Sequence, residues 1–182
     1  MTITELQLRI DRILLRLDSE IEAQASIAGN DLVALITHRI VQTGKAFDGS
    51  QFSPYSTTEV PAFFYFGRSR NAGGEAKVRA AAKKKQPISY RDFRAMNNLN
   101  VALKHFEFLG AMWRGFGVLS ARRTPSGATM TIGGRNKDAA DKMTWNSERE
   151  GKSIIKPSAD EIKIVTANLQ RWAQNIVDGR AG

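Results

Sequence analysis

Apolar residues in the first 27 positions return at steps of three and four. Ile3, Leu6, Ile10, Ile13, Leu14, Leu17 and Ile21 therefore line one side of an amphipathic helix, with charged residues between them. Thr2 and Glu5 have the spacing of a capping box, which predicts a start at the N-terminus itself, and Gly29 is the expected stop. The stripe is as narrow as a coiled-coil seam, so it serves either the chain's own core or a partner subunit. After Asn30 or Asp31 as cap, Leu32, Leu35, Ile36 and Ile40 share a face that Val33 and Val41 broaden, until Gly44 interrupts. Two helices joined by a short turn give a predicted helical hairpin.

From Val60 the pattern changes. Phe63, Phe64, Tyr65 and Phe66 are contiguous, Gly67 ends the run, and Asn71-Ala72-Gly73-Gly74 follows. A strand turns alternate side chains to opposite faces, so some of these rings must meet another layer or another chain. Residues 76 to 85 read as a helix with lysines near its C-terminal end, where cations favour the macrodipole. The stretch 57–88 reads as an aromatic-basic insertion or arm on a single domain, 1–182.

Ser89 to Asn98 is polar and fits a short helix or loop, and Val101 to Trp113 is ambiguous between strand and helix. Phe116 to Arg123 and Ala128 to Ile132 flank Thr124-Pro125-Ser126-Gly127, which predicts a β-hairpin. Asp138 to Arg149 fits a short helix carrying Met143 and Trp145. Ser158 and Glu161 repeat the capping-box spacing ahead of a helix with Ile162, Val165, Leu169, Trp172 and Ile176 on one face, closed by Gly179. No internal repeat is visible. The expected class is α+β: an N-terminal helical hairpin, an antiparallel sheet containing the β-hairpin, and a C-terminal amphipathic helix.

The segment Asp48-Gly49-Ser50-Gln51-Phe52-Ser53-Pro54-Tyr55-Ser56 reads as an organised surface loop. Asp-Gly opens a tight turn, and Pro54 fixes its own φ and holds Ser53 extended. Phe52 and Tyr55 are then aromatic anchors suited to docking onto another surface.

Composition narrows the chemistry. Cysteine is absent, which removes disulfides, thiolate nucleophiles and cysteine-ligated zinc, and the two histidines, His38 and His105, lie in no motif. The carboxylate groups Asp18/Glu20/Glu22, Glu148/Glu150 and Asp160/Glu161 read as helix surface, polar helix end and N-terminal cap. Gly115-x-Gly117 and Gly133-Gly134 lack the rest of a phosphate loop and mark strand ends. No enzyme, metal or cofactor chemistry is expected, and no membrane span or secretory signal is legible, so synthesis in the cytoplasm is the expectation.

The formal charge is +9, and between Arg68 and Gln86 seven cations (Arg68, Arg70, Lys77, Arg79, Lys83, Lys84, Lys85) face one anion, Glu75. Such a segment holds nucleic acid through phosphates and base stacking, or orders against an acidic neighbouring subunit.

Several segments, read in order, resemble the bacteriophage virion-morphogenesis or tail-completion family, the small head-to-tail neck proteins of tailed phages. They are Asp48-Gly49-x-x-Phe52-x-Pro54-Tyr55-Ser56, then Phe106-Glu107-Phe108-Leu109-Gly110-Ala111-Met112, Met143-Thr144-Trp145-Asn146, and Lys156-Pro157-Ser158-Ala159-Asp160-Glu161. Leu109 stands where threonine is common in the family, and 57–88 has no counterpart. The resemblance implies a non-enzymatic virion protein, assembled in the host cytoplasm into a hexameric or dodecameric ring of the neck or tail. Its partners would be other neck, tail or portal-associated proteins, and DNA would pass through the lumen without specific binding. Ring interfaces are heterologous and need two sticky surfaces. Phe52, Tyr55, Phe63, Phe64, Tyr65 and Phe66 are the expected interface anchors, and the basic arm is expected away from the channel, where it would not retard DNA. The alternative is a nucleic-acid-binding module using the 68–86 segment.

Overall fold

The computed structural model describes residues 3–106 and 111–179. One helix, α1 (Ile3–Thr43), takes up the whole N-terminal region. With 41 residues it is about 60 Å long. The predicted break at Gly29 is absent, and the helical hairpin is replaced by this single rod. Asn30 does not cap a second helix; its Nδ2 donates to the Ser26 carbonyl one turn back.

Gly29 has a different task. It lies where the β-hairpin crosses α1, and a Cβ built on it would sit 2.8 Å from Val118 Cγ2 and 3.1 Å from Met130 Sδ. The residue is buried and packs backbone against side chain. Helix propensity disfavours glycine by about 1 kcal/mol, and the close crossing requires it all the same. The predicted stop at Gly44 holds: Gly44 takes φ +62°, and its N–H donates to the Ile40 carbonyl at 3.0 Å. Thr2 of the predicted capping box lies outside the described residues.

The hairpin is as expected. Strands β3 (Phe116–Thr124) and β4 (Gly127–Gly134) pair antiparallel around Pro125-Ser126, with an irregularity between Val118 and Ser120. One side of it packs on α1. The C-terminal helix, here α6 (Ala159–Val177), runs antiparallel along α1, and Ser158 and Glu161 form the predicted capping box. Glu161 meets Arg39, Trp172 donates to Glu20, and Arg9 reaches the Val177 carbonyl. Val165 and Ile176 are buried and Leu169 and Trp172 partly so, but Ile162 points outward.

The main core lies along the C-terminal half of α1. Ala28, Leu32, Ile36 and Ile40 meet Phe52, Met112, Phe116, Met143, Ile154 and Val165. Short α4 (Ala111–Arg114) and longer α5 (Lys137–Glu150) close it, α5 being capped by the Asn136 side chain and ended by Gly151 at φ +66°. Within Val101 to Trp113, residues 107–110 lie outside the described set, and the final positions are the start of α4.

The stretch 57–88, read as an insertion or arm, folds as a small lobe. Strands β1 (Glu59–Pro61) and β2 (Pro87–Ser89) pair antiparallel, enclosing a 3-10 turn (Ala62–Tyr65) and α2 (Ala72–Lys83). The α2 helix starts four residues before the predicted one because the Asn71 side chain caps it at Gly74 N–H. Helix α3 (Tyr90–Met96) follows with its own capping box from Ser89 and Asp92. Ala62, Val78, Ala81, Ile88 and Phe93 make a second small core.

Gly29→Ala adds helix propensity worth about 1 kcal/mol but forces a methyl against Val118, and overpacking of this kind costs about 1–3 kcal/mol. The expected net effect is a lower urea midpoint, and a raised midpoint would contradict the close crossing.

Candidate functional site

The Asp48–Ser56 loop is organised, but it docks on its own chain. Asp48 Oδ1 accepts from Ser50 N–H at 3.0 Å and from Ser50 Oγ at 2.5 Å, and Gly49 takes φ +79°. These hydrogen bonds from Ser50 hold the Asp48 carboxyl below its ordinary pKa. Past the turn, Phe52 and Tyr55 are each only 5% exposed. Phe52 meets Phe106 edge-on at 4.8 Å, and Tyr55 meets Tyr90 edge-on at 5.8 Å. The expected anchors Phe52 and Tyr55 are thus internal. Phe106, Tyr90 and Arg94 lie far along the chain, so local spacing does not show that they cover the loop.

Tyr55 is the hinge pin between body and lobe. The Arg94 guanidinium of α3 lies 4.1 Å above its ring, and His105 N–H donates to its hydroxyl at 3.4 Å. Burial pushes the Tyr55 phenol above its ordinary pKa, against the opposing charge of Arg94. Arg94 is itself fully buried and donates to the Asn100 carbonyl.

Beside this joint is a cluster that sequence reading missed. Lys104 Nζ lies 2.5 Å from Glu150 Oε1 and 3.1 Å from Ser53 Oγ, and Ser53 gives Glu150 both its N–H and its hydroxyl at 2.9 Å. The two charged side chains are almost fully buried. Burial is the largest influence on Glu150 and raises its pKa, but the hydrogen bonds from Lys104 and Ser53 together outweigh it and hold the carboxyl below its ordinary value. A serine beside a lysine resembles a nucleophile and base, yet an ammonium held by a carboxylate has no lone pair with which to take a proton. The cluster works as a clamp, tying the loop to the end of α5. A groove of about 350 Å³ between β4, α5 and residues 153–155 is lined by Met143, Thr144, Ser147, Glu148 and Ile155 among others.

The lobe carries the exposed part of the predicted site. The four aromatics fall on the 3-10 turn and its end: Tyr65 turns in and stacks on Phe93 at 4.5 Å, while Phe63, Phe64 and Phe66 turn out. Phe63 and Phe64 are 57% and 54% exposed and stack on one another at 4.8 Å. Arg79 lies 4.9 Å above the Phe66 ring and pairs with Glu75. Arg68, Arg70, Lys77, Arg79, Lys83, Lys84 and Lys85 are all exposed. Lys85 sits at φ +56°, its N–H donating to the Ala82 carbonyl in a helix-closing turn that glycine usually supplies.

A second exposed surface lies at the far end of α1. Although α6 extends as far as Arg9, Ile3, Leu6, Ile10 and Leu14 of the predicted stripe are exposed, as are Leu8 and Leu15 on another side of the helix. Among the described residues no helix is long and apolar enough to cross a membrane, and no group of three or more His, Asp or Glu side chains converges as a metal site. Compared with family models, curated proteins and solved structures, the chain matches none.

Lys104→Met leaves Glu150 buried without its cation, a loss expected to cost about 3–5 kcal/mol in urea denaturation. The depressed Glu150 carboxyl stabilises the fold fully above the ordinary carboxylate pKa of about 4.3, and that stabilisation is lost as pH falls through the folded value. The stability gap between the wild type and Glu150→Gln should therefore be widest near neutrality and narrow in acid; a gap that is flat with pH would refute the clamp. Lys85→Gly should raise stability by about 1 kcal/mol, because the left-handed conformation is strained for lysine.

Proposed function

We propose that this chain is a structural virion protein of a tailed bacteriophage, forming a ring in the neck or tail that completes the tail or joins it to the head. The observation that carries the reading is the bare apolar end of α1. Ile3, Leu6, Ile10 and Leu14 belong to the same stripe as the partly buried Ile13, Leu17 and Ile21, and they stay exposed, Ile3 by 88%, although α6 reaches Arg9. A helix stripe left uncovered for several turns is what a subunit offers to its neighbours. The Phe63, Phe64 and Phe66 rim is the second sticky surface, and the two together suit the heterologous contacts of a ring. The four segments that resemble the virion-morphogenesis family support the same reading, with other neck, tail or portal-associated proteins as further partners and no chemical step.

The second reading, a nucleic-acid-binding module, is favoured by one observation: seven exposed cations beside a stacked, exposed pair of phenylalanines. Binding of that kind weakens by orders of magnitude as salt rises.

Light scattering on the purified chain, alone and with neck and tail proteins, should give a closed multiple of the 20.1 kDa subunit, visible as rings by electron microscopy. Ile10→Asp combined with Leu14→Asp should weaken assembly while leaving the chain folded. A wild type that stays monomeric with every virion component, or a double variant that assembles unchanged, would overturn the proposal.

A further inference from the structure

We infer that the chain assembles head to tail, the acidic, leucine-bearing side of the α1 N-terminal half docking onto the aromatic-basic rim of the lobe in the next copy. The inference rests on the proposed self-assembly and names the two surfaces that meet.

The first surface lies on α1, apart from the Ile3/Leu6/Ile10 stripe. Leu8, Asp11, Leu15, Asp18 and Glu22 recur at steps of three and four and therefore share one side of the helix. All five are exposed, Leu15 by 70%. Two leucines and three acids alternate there, and none of the five is a cation. Among the described residues, Asp11 accepts from the Gln7 amide and Asp18 pairs with Arg123 of the hairpin. Arg9 and Arg16 fall on a different side, Arg16 being engaged with Glu20, and Arg12 flanks the face, four positions from Leu8 and three from Leu15.

The second surface has the opposite chemistry. Phe63, Phe64 and Phe66 are exposed rings, bordered by Arg68 and by Arg79 and Lys83, which stand one turn apart on α2. Leucine meets phenylalanine and carboxylate meets guanidinium or ammonium when the two are brought together. Pairing lobe with lobe would juxtapose cations, and pairing acid face with acid face would juxtapose carboxylates, each at a cost. Lysine is common in this rim and depleted in the cores of protein interfaces, so the lysines belong at the edge of the contact and the rings at its centre.

The contact cannot form within one molecule. The lobe is joined to the body at the C-terminal end of α1, where Leu103 packs on Gly44 and Tyr55 meets Arg94, while the acid face begins at the opposite end of a helix about 60 Å long. Two different faces at two ends of a subunit give a heterologous interface, which closes into a ring or runs on as a filament.

Charge reversal tests the pairing. One variant carries Asp11→Lys and Glu22→Lys, the other Arg68→Glu and Lys83→Glu; all four sites are exposed, and circular dichroism melting checks each fold. Light scattering should show each variant alone associating at least tenfold more weakly than the wild type, and an equimolar mixture regaining assembly because each offers the face the other needs. Should either pair unfold, Leu15→Ser and Phe64→Ser replace them, and each should weaken association. Assembly should also weaken between 0.15 M and 1 M salt, as screening shortens from about 8 to about 3 Å. If the lobe variant assembles like the wild type, the inference fails, and loss of its retention on single-stranded DNA would assign the rim to nucleic acid instead. A mixture that stays dissociated also overturns it. A wild type that remains monomeric even with virion components defeats the proposed function itself, a result distinct from either of these.

Discussion

The close crossing at Gly29 is the constraint on which the architecture depends. A hairpin can lie on a helix at this separation only where one residue has no side chain, and Val118 and Met130 occupy the space that a Cβ would take. With the hairpin on one side and α6 on another, α1 continues unbroken through Gly29 even though glycine is a poor helix former. Its C-terminal half becomes the spine of the core, and its N-terminal half, flanked by α6 and the hairpin, keeps exposed apolar residues outside that core.

The second organising feature is the joint around Tyr55. Body and lobe meet through an aromatic ring, a buried arginine above it and a buried lysine-glutamate pair nearby. Buried charges of this kind are costly unless each finds its partner, so their geometry specifies how the lobe sits as much as it adds stability. The loop that carries Tyr55 is held by Pro54 and by the Asp48–Ser50 hydrogen bonds, and it serves an internal contact. The aromatic rings left for outside contact are those of the lobe, set on a 3-10 turn that directs Tyr65 inward and Phe63, Phe64 and Phe66 outward.

These two features leave the molecule with unlike ends. One bears leucines and carboxylates on an exposed helix face; the other bears phenylalanines and cations on a small lobe with its own core. The excess positive charge of the chain is concentrated at the second end. A subunit with unlike ends favours heterologous, head-to-tail contact over a symmetric pair.

Much of the fold was legible because its signals are local. The Ser158 and Glu161 capping box, the Pro125-Ser126 turn, the cap at Gly44 and the inward face of α6 all depend on residues within a few positions of one another. The cationic segment was equally plain from Arg68 to Lys85. Three things were not legible. A glycine that ends a helix and a glycine that admits a crossing strand look the same in one dimension, so Gly29 was open to the wrong reading. Phe52 and Tyr55 have the spacing of exposed anchors, and only Phe106, Tyr90 and Arg94, brought in by the tertiary fold, bury them. Glu150 looked like a polar helix end because Lys104 and Ser53 lie 46 and 97 positions away. The sequence by itself determined the helices, the hairpin, the caps and the location of charge, since these follow from backbone propensity and periodicity. Which apolar and charged groups are satisfied inside and which are left facing outward was decided by tertiary structure alone, because burial depends on neighbours distant along the chain.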